Sequence, residues 1–122
     1  MAETNNHTGA TLSLLHRLTE KQAKEAGYSV KTGKFPFVGN SKATILGNHG
    51  GFIKVVSDEK YGEVLGIHII GPLATEILSE AAAVLHLEGT VEHMMEMMHA
   101  HPTVWEGMGD AFASVKGLQI NV

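Results

Sequence analysis

The stretch GFIKVVSDEKYGEVLGIHIIGP, residues 51–72, decides the fold. Two runs rich in β-branched residues, 52–56 and 63–70, lie on either side of a polar connection, 57–62. Such runs predict two antiparallel strands joined by a loop that is longer than a tight turn. A Gly-Pro pair breaks the second run, and Pro72 suits the first position of a helix. The stretch therefore predicts a hairpin that leads into a helix.

Beyond the hairpin, apolar residues recur at the spacing of one buried helix face. The repeating positions are Ile77, Leu78, Ala81, Ala82 and Leu85. Glu76 and Glu80 fall off this stripe, and Gly89 is the expected end of the helix. Two shorter helices are expected further on, the first capped by Thr90 and the second by Thr103.

A helix and an extended segment are predicted on the N-terminal side of the hairpin. Thr19 and Gln22 have the spacing of a capping box, which predicts a short helix over 20–26. Gly27 supplies a left-handed stop for that helix. Residues 28–37 then favour an extended conformation that ends near a proline.

The division of the chain follows from these signals. Residues 1–17 show no clear turn or cap and are expected to form a lead-in of uncertain structure, whereas residues 18–122 form one domain. With strands first and helices last, the expected class is α+β, an antiparallel sheet packed with helices.

The composition excludes several classes of partner and site. The chain has 122 residues, a formal net charge of -4, only 9 Lys and Arg, and no cysteine. Without a basic run it lacks the footprint of a nucleic-acid-binding protein. The lack of cysteine excludes disulfides, thiolate zinc sites and dithiol chemistry within this chain. No apolar run approaches the roughly 20 residues that span a bilayer, and no secretory signal is visible. We therefore expect a cytoplasmic protein with no membrane contact.

The segment HAHPTVWE, residues 99–106, is a candidate acid–base site. His101 precedes a proline, which disfavours helical conformation and places the residue just before a helix. Glu106 points back toward it and could hold one ring nitrogen, as in a carboxylate-supported proton carrier. The same spacing makes Thr103 and Glu106 a capping box, in which Glu106 bonds only the amide of Thr103. Spacing alone leaves both interpretations open and favours the cap.

A group of histidines and a cluster of methionines lie in the same part of the chain. Imidazoles of His93, His99 and His101 could bind zinc or nickel, but no acidic or cysteine ligand stands at a recognisable spacing, so no metal site is expected. The methionines within 94–98 are suited to packing and to adaptable interfaces. Because they cannot all face one side of a helix, they indicate a subunit contact.

An ordered series of motifs resembles the C-terminal dimerisation domain of the dihydrolipoamide dehydrogenases, within the pyridine nucleotide-disulfide oxidoreductase family. The motifs are LTEKQA (18–23), GY (27–28), GKFPF (33–37), GFIKV (51–55), GEVLGIHIIGP (62–72) and HAHPT (99–103) with Glu106. The chain departs from the family pattern at Ala10–Arg17, where the family usually has a strand. It departs again at Trp105 and at Gly107–Gly109, where small polar residues and alanine are common.

The resemblance implies a homodimer in which His101 acts as acid–base catalyst at the redox disulfide of the partner subunit, oriented by Glu106. It also implies FAD and NAD in the parent flavoenzyme, an NAD-dependent dihydrolipoyl dehydrogenase. The implied partners are the rest of that enzyme and a lipoyl domain of 2-oxoacid dehydrogenase complexes. The chain has no Gly-x-Gly-x-x-Gly run and no cysteine pair, so alone it is expected to bind no cofactor and to be inactive. The alternatives are a purely structural homodimerisation module and, third, a metal-sensing histidine cluster.

Overall fold

The chain forms an antiparallel sheet with helices, which confirms the predicted α+β class. The computed structural model describes residues 2–7, 10–16, 18–47, 50–71 and 74–118, with the backbone alone for 2–16. Within this part of the chain, the strands form one sheet in the order β1-β2-β5-β4-β3, and every neighbouring pair is antiparallel. The strands are β1 Ala2–His7, β2 Ala10–His16, β3 Val30–Pro36, β4 Phe52–Asp58 and β5 Val64–Gly71.

The helices cover the sheet and build its main core. They are α1 Glu20–Glu25, α2 Ser41–Ile45, α3 Ala74–His86, α4 Val91–Glu96 and α5 Glu106–Ser114, with a 3-10 turn at Phe37–Gly39. Helix α3 contacts β2 and β5, whereas α5 contacts β3, β4 and α4. The largest fully buried side chains of this core are Phe35, Phe112, Ile53, Ile67, Ile69, Ile77 and Met108. In the described residues no helix is both long and apolar enough to cross a bilayer.

A β-bulge in the predicted hairpin shifts the alternation of side chains along β5. Val56 pairs with Gly66 and Ser57 with Val64, so Leu65 is the extra residue on β5. Leu65 packs with Val56 in a small cluster that also includes a buried residue of α1. Val64 instead joins the larger core formed with α3 and α5. The bulge therefore explains why Val64 and Ile67, three residues apart, lie in the same core although side chains of a regular strand alternate between faces.

The predicted capping box of α1 is confirmed. The Thr19 hydroxyl accepts the amide of Gln22 at 3.1 Å, and the Gln22 side chain accepts the amide of Thr19 at 3.0 Å. Gly27 follows the helix with φ 94°, the left-handed conformation that favours glycine. The extended segment expected over 28–37 is confirmed as β3. Pro72, expected at a first helical position, lies outside the described residues.

Within the lead-in expected over residues 1–17, the described residues form two strands, β1 and β2. Strands β1 and β2 pair with each other, and β2 pairs with β5 from Thr11 opposite Gly71 to His16 opposite Gly66. Strand β2 occupies the stretch where the family pattern has its strand, although the sequence there differs. The local signal is weak because the strand depends on backbone pairing with β5, a partner more than 50 residues away.

The ends of α3 and α4 differ from the predictions, and α2 is an additional helix. Helix α3 ends at His86, and the residue in the left-handed conformation is Glu88 (φ 54°), one position before the glycine expected to play this role. Gly89 still closes the end, since its amide donates to the carbonyl of Val84 at 2.9 Å. Helix α4 ends at Glu96, so two of the four methionines follow it. Helix α2, capped by the side chain of Asn40, was not predicted.

Candidate functional site

His101 lies between α4 and α5, beside the first residue of α5. Its Nδ1 is 3.0 Å from each carboxylate oxygen of Glu106, and the peptide bond to Pro102 is cis. The side chain of His101 is 74% exposed and that of Glu106 is 23% exposed. The structure thus brings the two predicted site residues together and leaves the histidine ring open to a reactant.

Glu106 also makes the backbone contact that the capping interpretation predicted. Its Oε1 accepts the amide of Thr103 at 2.9 Å. The Thr103 hydroxyl donates to the carbonyl of Ala100 at 2.6 Å and accepts no amide of the helix, so the reciprocal half of the capping box is missing. The helix accordingly begins at Glu106, with Trp105 as an N-cap that lacks a side-chain bond. The expectation that Thr103 caps a helix is wrong, because its hydroxyl is used by the preceding turn.

The surroundings of Glu106 favour its charged form. Burial by itself raises the pKa of the Glu106 carboxyl. The hydrogen bonds from the Thr103 amide and from His101, with the charges of His101 and His99, outweigh burial and hold the pKa below its usual value. Because the folded-state pKa is depressed, this stabilisation is present above the unfolded-state pKa and is lost as pH falls through the folded-state value.

This geometry defines what the pair can do with a proton. An ionised carboxylate only accepts hydrogen bonds, so Nδ1 of His101 must carry the hydrogen that faces Glu106. In the neutral ring, Nε2 is then the acceptor, and a carboxylate on the opposite nitrogen stabilises the imidazolium formed when Nε2 takes a proton. The arrangement is that of a general base held in one tautomer.

A second histidine–carboxylate pair was missed by sequence reasoning. His99 Nε2 lies 2.7 Å from Oε1 of Glu80 on α3, and the two side chains are only 9% and 13% exposed. The hydrogen bond that the His99 ring donates to Glu80 raises the pKa of His99; burial opposes this, and the charges of Glu80 and Glu106 add to the increase. Glu80 was recognised only as lying off the apolar stripe of α3. No local spacing links two residues that are 19 positions apart.

A cavity of about 310 Å³ lies beside both pairs. It is lined by Met95, His99, Glu106, Gly109, Asp110, Ala113 and Leu118. Glu106 therefore contacts His101 and also lines the cavity that His99 lines. Within the described ranges, no group of three or more His, Asp or Glu side chains could hold a metal ion.

The remaining predicted features lie around this site. Met94 is buried, whereas Met97 and Met98 are exposed, as suits a contact surface beside the site. Trp105, a departure from the family pattern, is 39% exposed and lines a separate cavity with Pro102 and Leu46.

Comparison with known proteins is consistent with this fold. A protein-family model described as "Pyridine nucleotide-disulphide oxidoreductase, dimerisation domain" matches residues 18–112. The chain is 40% identical over 104 residues to a dihydrolipoyl dehydrogenase of Bacillus subtilis and 41% identical over 104 residues to that of Mycobacterium leprae. Each match covers 85% of this chain but 22% of the relative, so the chain spans about a fifth of the length of these proteins.

Solved structures show the same fold at lower sequence identity. LpdA from Mycobacterium tuberculosis superimposes with a TM-score of 0.81 at 19% identity, over 92% of this chain and 24% of that one. The HOCl-induced flavoprotein disulfide reductase RclA from Escherichia coli gives a TM-score of 0.83 at 21% identity, over 93% of this chain and 26% of that one. These likenesses establish the fold alone.

Proposed function

This chain belongs to the dimerisation-domain family of the pyridine nucleotide-disulphide oxidoreductases, and from that premise we propose that it joins two flavoenzyme subunits and lends His101 to the disulfide site of the partner. The proposed parent activity is that of a dihydrolipoyl dehydrogenase, the name carried by its relatives at about 40% identity. The observation that carries the proposal is the bond of Nδ1 of His101 to both oxygens of Glu106, with the ring largely exposed.

The proposed chemistry is a proton transfer that prepares a thiol for exchange. Nε2 of His101 removes the proton from a dihydrolipoyl thiol, and the resulting thiolate attacks one sulfur of the redox disulfide. A sulfur–sulfur bond forms between substrate and enzyme while the other enzyme sulfur leaves as a thiolate. The imidazolium, stabilised by Glu106, later returns the proton. His101 acts as general base and acid, and Glu106 orients it.

The cofactors of the proposed parent would be held by the rest of the flavoenzyme. FAD and NAD would carry electrons between the disulfide and the nicotinamide pool. The chain lacks a glycine-rich dinucleotide-binding run and a cysteine pair, so its own residues do not fit these groups, and we expect no flavin spectrum from it alone. A lipoyl domain as partner and a cytoplasmic location belong to the same proposal.

The rival function is a structural dimerisation module in which Glu106 serves only the backbone. The 2.9 Å bond from the Thr103 amide to Glu106 favours this rival, because a carboxylate in the first turn of a helix is stabilising by itself. The two functions differ in what Glu106 does to the ring of His101.

Glu106→Gln is expected to reduce the share of the Nδ1–H tautomer of neutral His101 in favour of Nε2–H. If the amide oxygen of the new side chain keeps the hydrogen bond from the Thr103 amide, its NH₂ group takes the place of Oε2, which lies 3.0 Å from Nδ1. An NH₂ group only donates and favours a ring in which Nδ1 accepts, whereas the remaining oxygen, also 3.0 Å from Nδ1, can still accept from Nδ1–H. Long-range ¹H–¹⁵N NMR of the ring at alkaline pH measures the tautomer directly. Because the cap survives, stability should fall by less than the ~1 kcal/mol of a lost cap.

A matched control is Glu92→Gln, which removes a carboxylate that is 51% exposed and paired with Lys116. This control should leave the His101 tautomer as it is in the parent chain. If the unsubstituted chain shows Nε2–H, or if Glu106→Gln leaves the tautomer populations of His101 unchanged, then the charge of Glu106 does not hold the ring and the structural rival is correct.

A further inference from the structure

The pair formed by His99 and Glu80 is the most enclosed ionic contact near the site. Its 2.7 Å distance is shorter than the contacts of the His101–Glu106 pair, and its side chains are far less exposed than that of His101. Removing one partner of a buried ion pair leaves the other uncompensated. The proposed chemistry makes no use of either residue.

The ring of His99 lies between two helices that build the site. On one side it bonds Glu80 of α3. On the other side it lies against α5 at Gly109, where an added Cβ would come within 3.4 Å of Nδ1. This distance is that of ordinary contact, so the ring packs against the backbone of α5 at this position. His99 joins α3, α5 and the segment that leads to His101.

That segment is short, so fixing His99 restricts where His101 can lie. Two peptide units separate the residues, which limits the distance between their Cα atoms to about 7 Å. The next turn is closed by the bond from the Thr103 hydroxyl to the carbonyl of Ala100 and by the bond from the Thr103 amide to Glu106. A continuous series of contacts thus runs from Glu80 through His99 to the His101–Glu106 pair.

The carboxylates near the His99 ring favour its protonated form. Glu80 on α3 bonds His99, and Glu106 and Asp110 on α5 line the cavity that His99 also lines. The Glu80 hydrogen bond raises the pKa of His99, burial opposes it, and the charges of both glutamates add to it. The charge of His99 in turn helps to lower the pKa of Glu106. A protonated His99, bonded to Glu80, therefore adds to the larger effects of the Thr103 amide and His101 that favour ionised Glu106.

We propose that His99 and Glu80 form a positioning pair for the acid–base site: Glu80 holds the His99 imidazolium between α3 and α5, where it fixes the short segment that leads to His101 and places a positive charge on the cavity that Glu106 lines. This inference rests on the proposed function of His101 and deepens it. Neither residue contacts a reacting atom in this scheme. Their role differs from simple packing because it requires the positive charge of His99 as well as its volume.

The test is the titration of Glu106 in the full chain, followed by NMR of its carboxyl carbon. Glu80→Gln keeps an acceptor for the His99 ring but removes the charge that favours its protonation. His99→Gln keeps a donor for Glu80 without a positive charge, and provides the same test if the first variant does not fold. In each folded variant the midpoint of Glu106 should shift upward toward that of an ordinary glutamate. Glu92→Gln, which removes an exposed carboxylate, should leave the titration midpoint of Glu106 unchanged.

The outcomes separate this inference from the proposed function. If the folded variants are less stable but Glu106 titrates as in the parent chain, the pair is structural only and the inference is wrong, even if His101 carries its hydrogen on Nδ1. If the unsubstituted chain has His101 in the Nε2–H form, the proposed function fails first, and the positioning role fails with it.

Discussion

His101→Gln is expected to reduce turnover with dihydrolipoamide by about 10²–10⁴-fold, the usual contribution of a general acid–base. The variant would be made in a chimera in which this chain replaces the matching stretch of the Bacillus subtilis dihydrolipoyl dehydrogenase, to which it is 40% identical over 104 residues. Glutamine can occupy the volume of the ring and bond Glu106, but it cannot accept a thiol proton near neutral pH. The loss should appear in kcat, because the proton moves in the chemical step.

The controls distinguish lost chemistry from a damaged enzyme. Reduction of the flavin by NADH does not use a thiol proton, so its rate and the flavin spectrum should match those of the unsubstituted chimera. His93→Gln makes the same change at an exposed histidine on α4 and should retain full turnover. If His101→Gln retains turnover to within a few-fold of this control, His101 is not the catalyst.

Gly33→Ala is expected to destabilise the domain by about 1–3 kcal/mol, the usual cost of overpacking. An added Cβ would lie 2.4 Å from Oγ of Ser114 and 2.6 Å from the backbone nitrogen of Val115. The serine hydroxyl can rotate away, but a backbone nitrogen cannot, so the end of α5 must move off β3. The gain of roughly 0.5–1 kcal/mol from replacing a strand glycine is smaller than this penalty. Chemical denaturation of the purified chain measures the difference in the free energy of unfolding.

Gly50→Ala is the matched control for this effect, because a Cβ at residue 50 would meet no atom within 4 Å. Its free energy of unfolding should stay within about 0.5 kcal/mol of that of the parent chain. Equal stability of the Gly33→Ala and Gly50→Ala variants would mean that α5, which carries Glu106, does not approach β3 as closely as described.

The parts of the fold that the sequence predicted are those with local signals. The capping box of Thr19 and Gln22 involves atoms three residues apart, and the hairpin of β4 and β5 is defined by its own alternation and its polar connection. Both were confirmed because few long-range contacts are needed to form them. The bulge at Leu65 could not be predicted, since it depends on how two faces of the sheet are filled.

The parts that were missed depend on partners that are distant in sequence. Strand β2 is defined by its pairing with β5. The Glu80–His99 bond forms only when α3 and α5 pack on one core. Helix α3 ends at His86, three positions before the expected Gly89, and the left-handed residue that follows it is Glu88, in a conformation that usually selects glycine. At the site, spacing predicted both a cap and a dyad for Glu106, and the structure contains the contacts of both.

Subunit complementation tests most directly whether His101 serves the partner. Two forms of the chimera would be mixed after unfolding and refolding, one with His101→Gln and the other with its redox cysteines replaced by serine. In a twofold dimer with shared sites, each mixed dimer contains one intact site, formed by the cysteines of one subunit and His101 of the other. Mixed dimers should therefore recover about half the turnover of the unsubstituted chimera, although neither parent form is active. Mixed dimers that form but remain as inactive as the two parents would contradict the proposal that this domain lends its histidine across the interface.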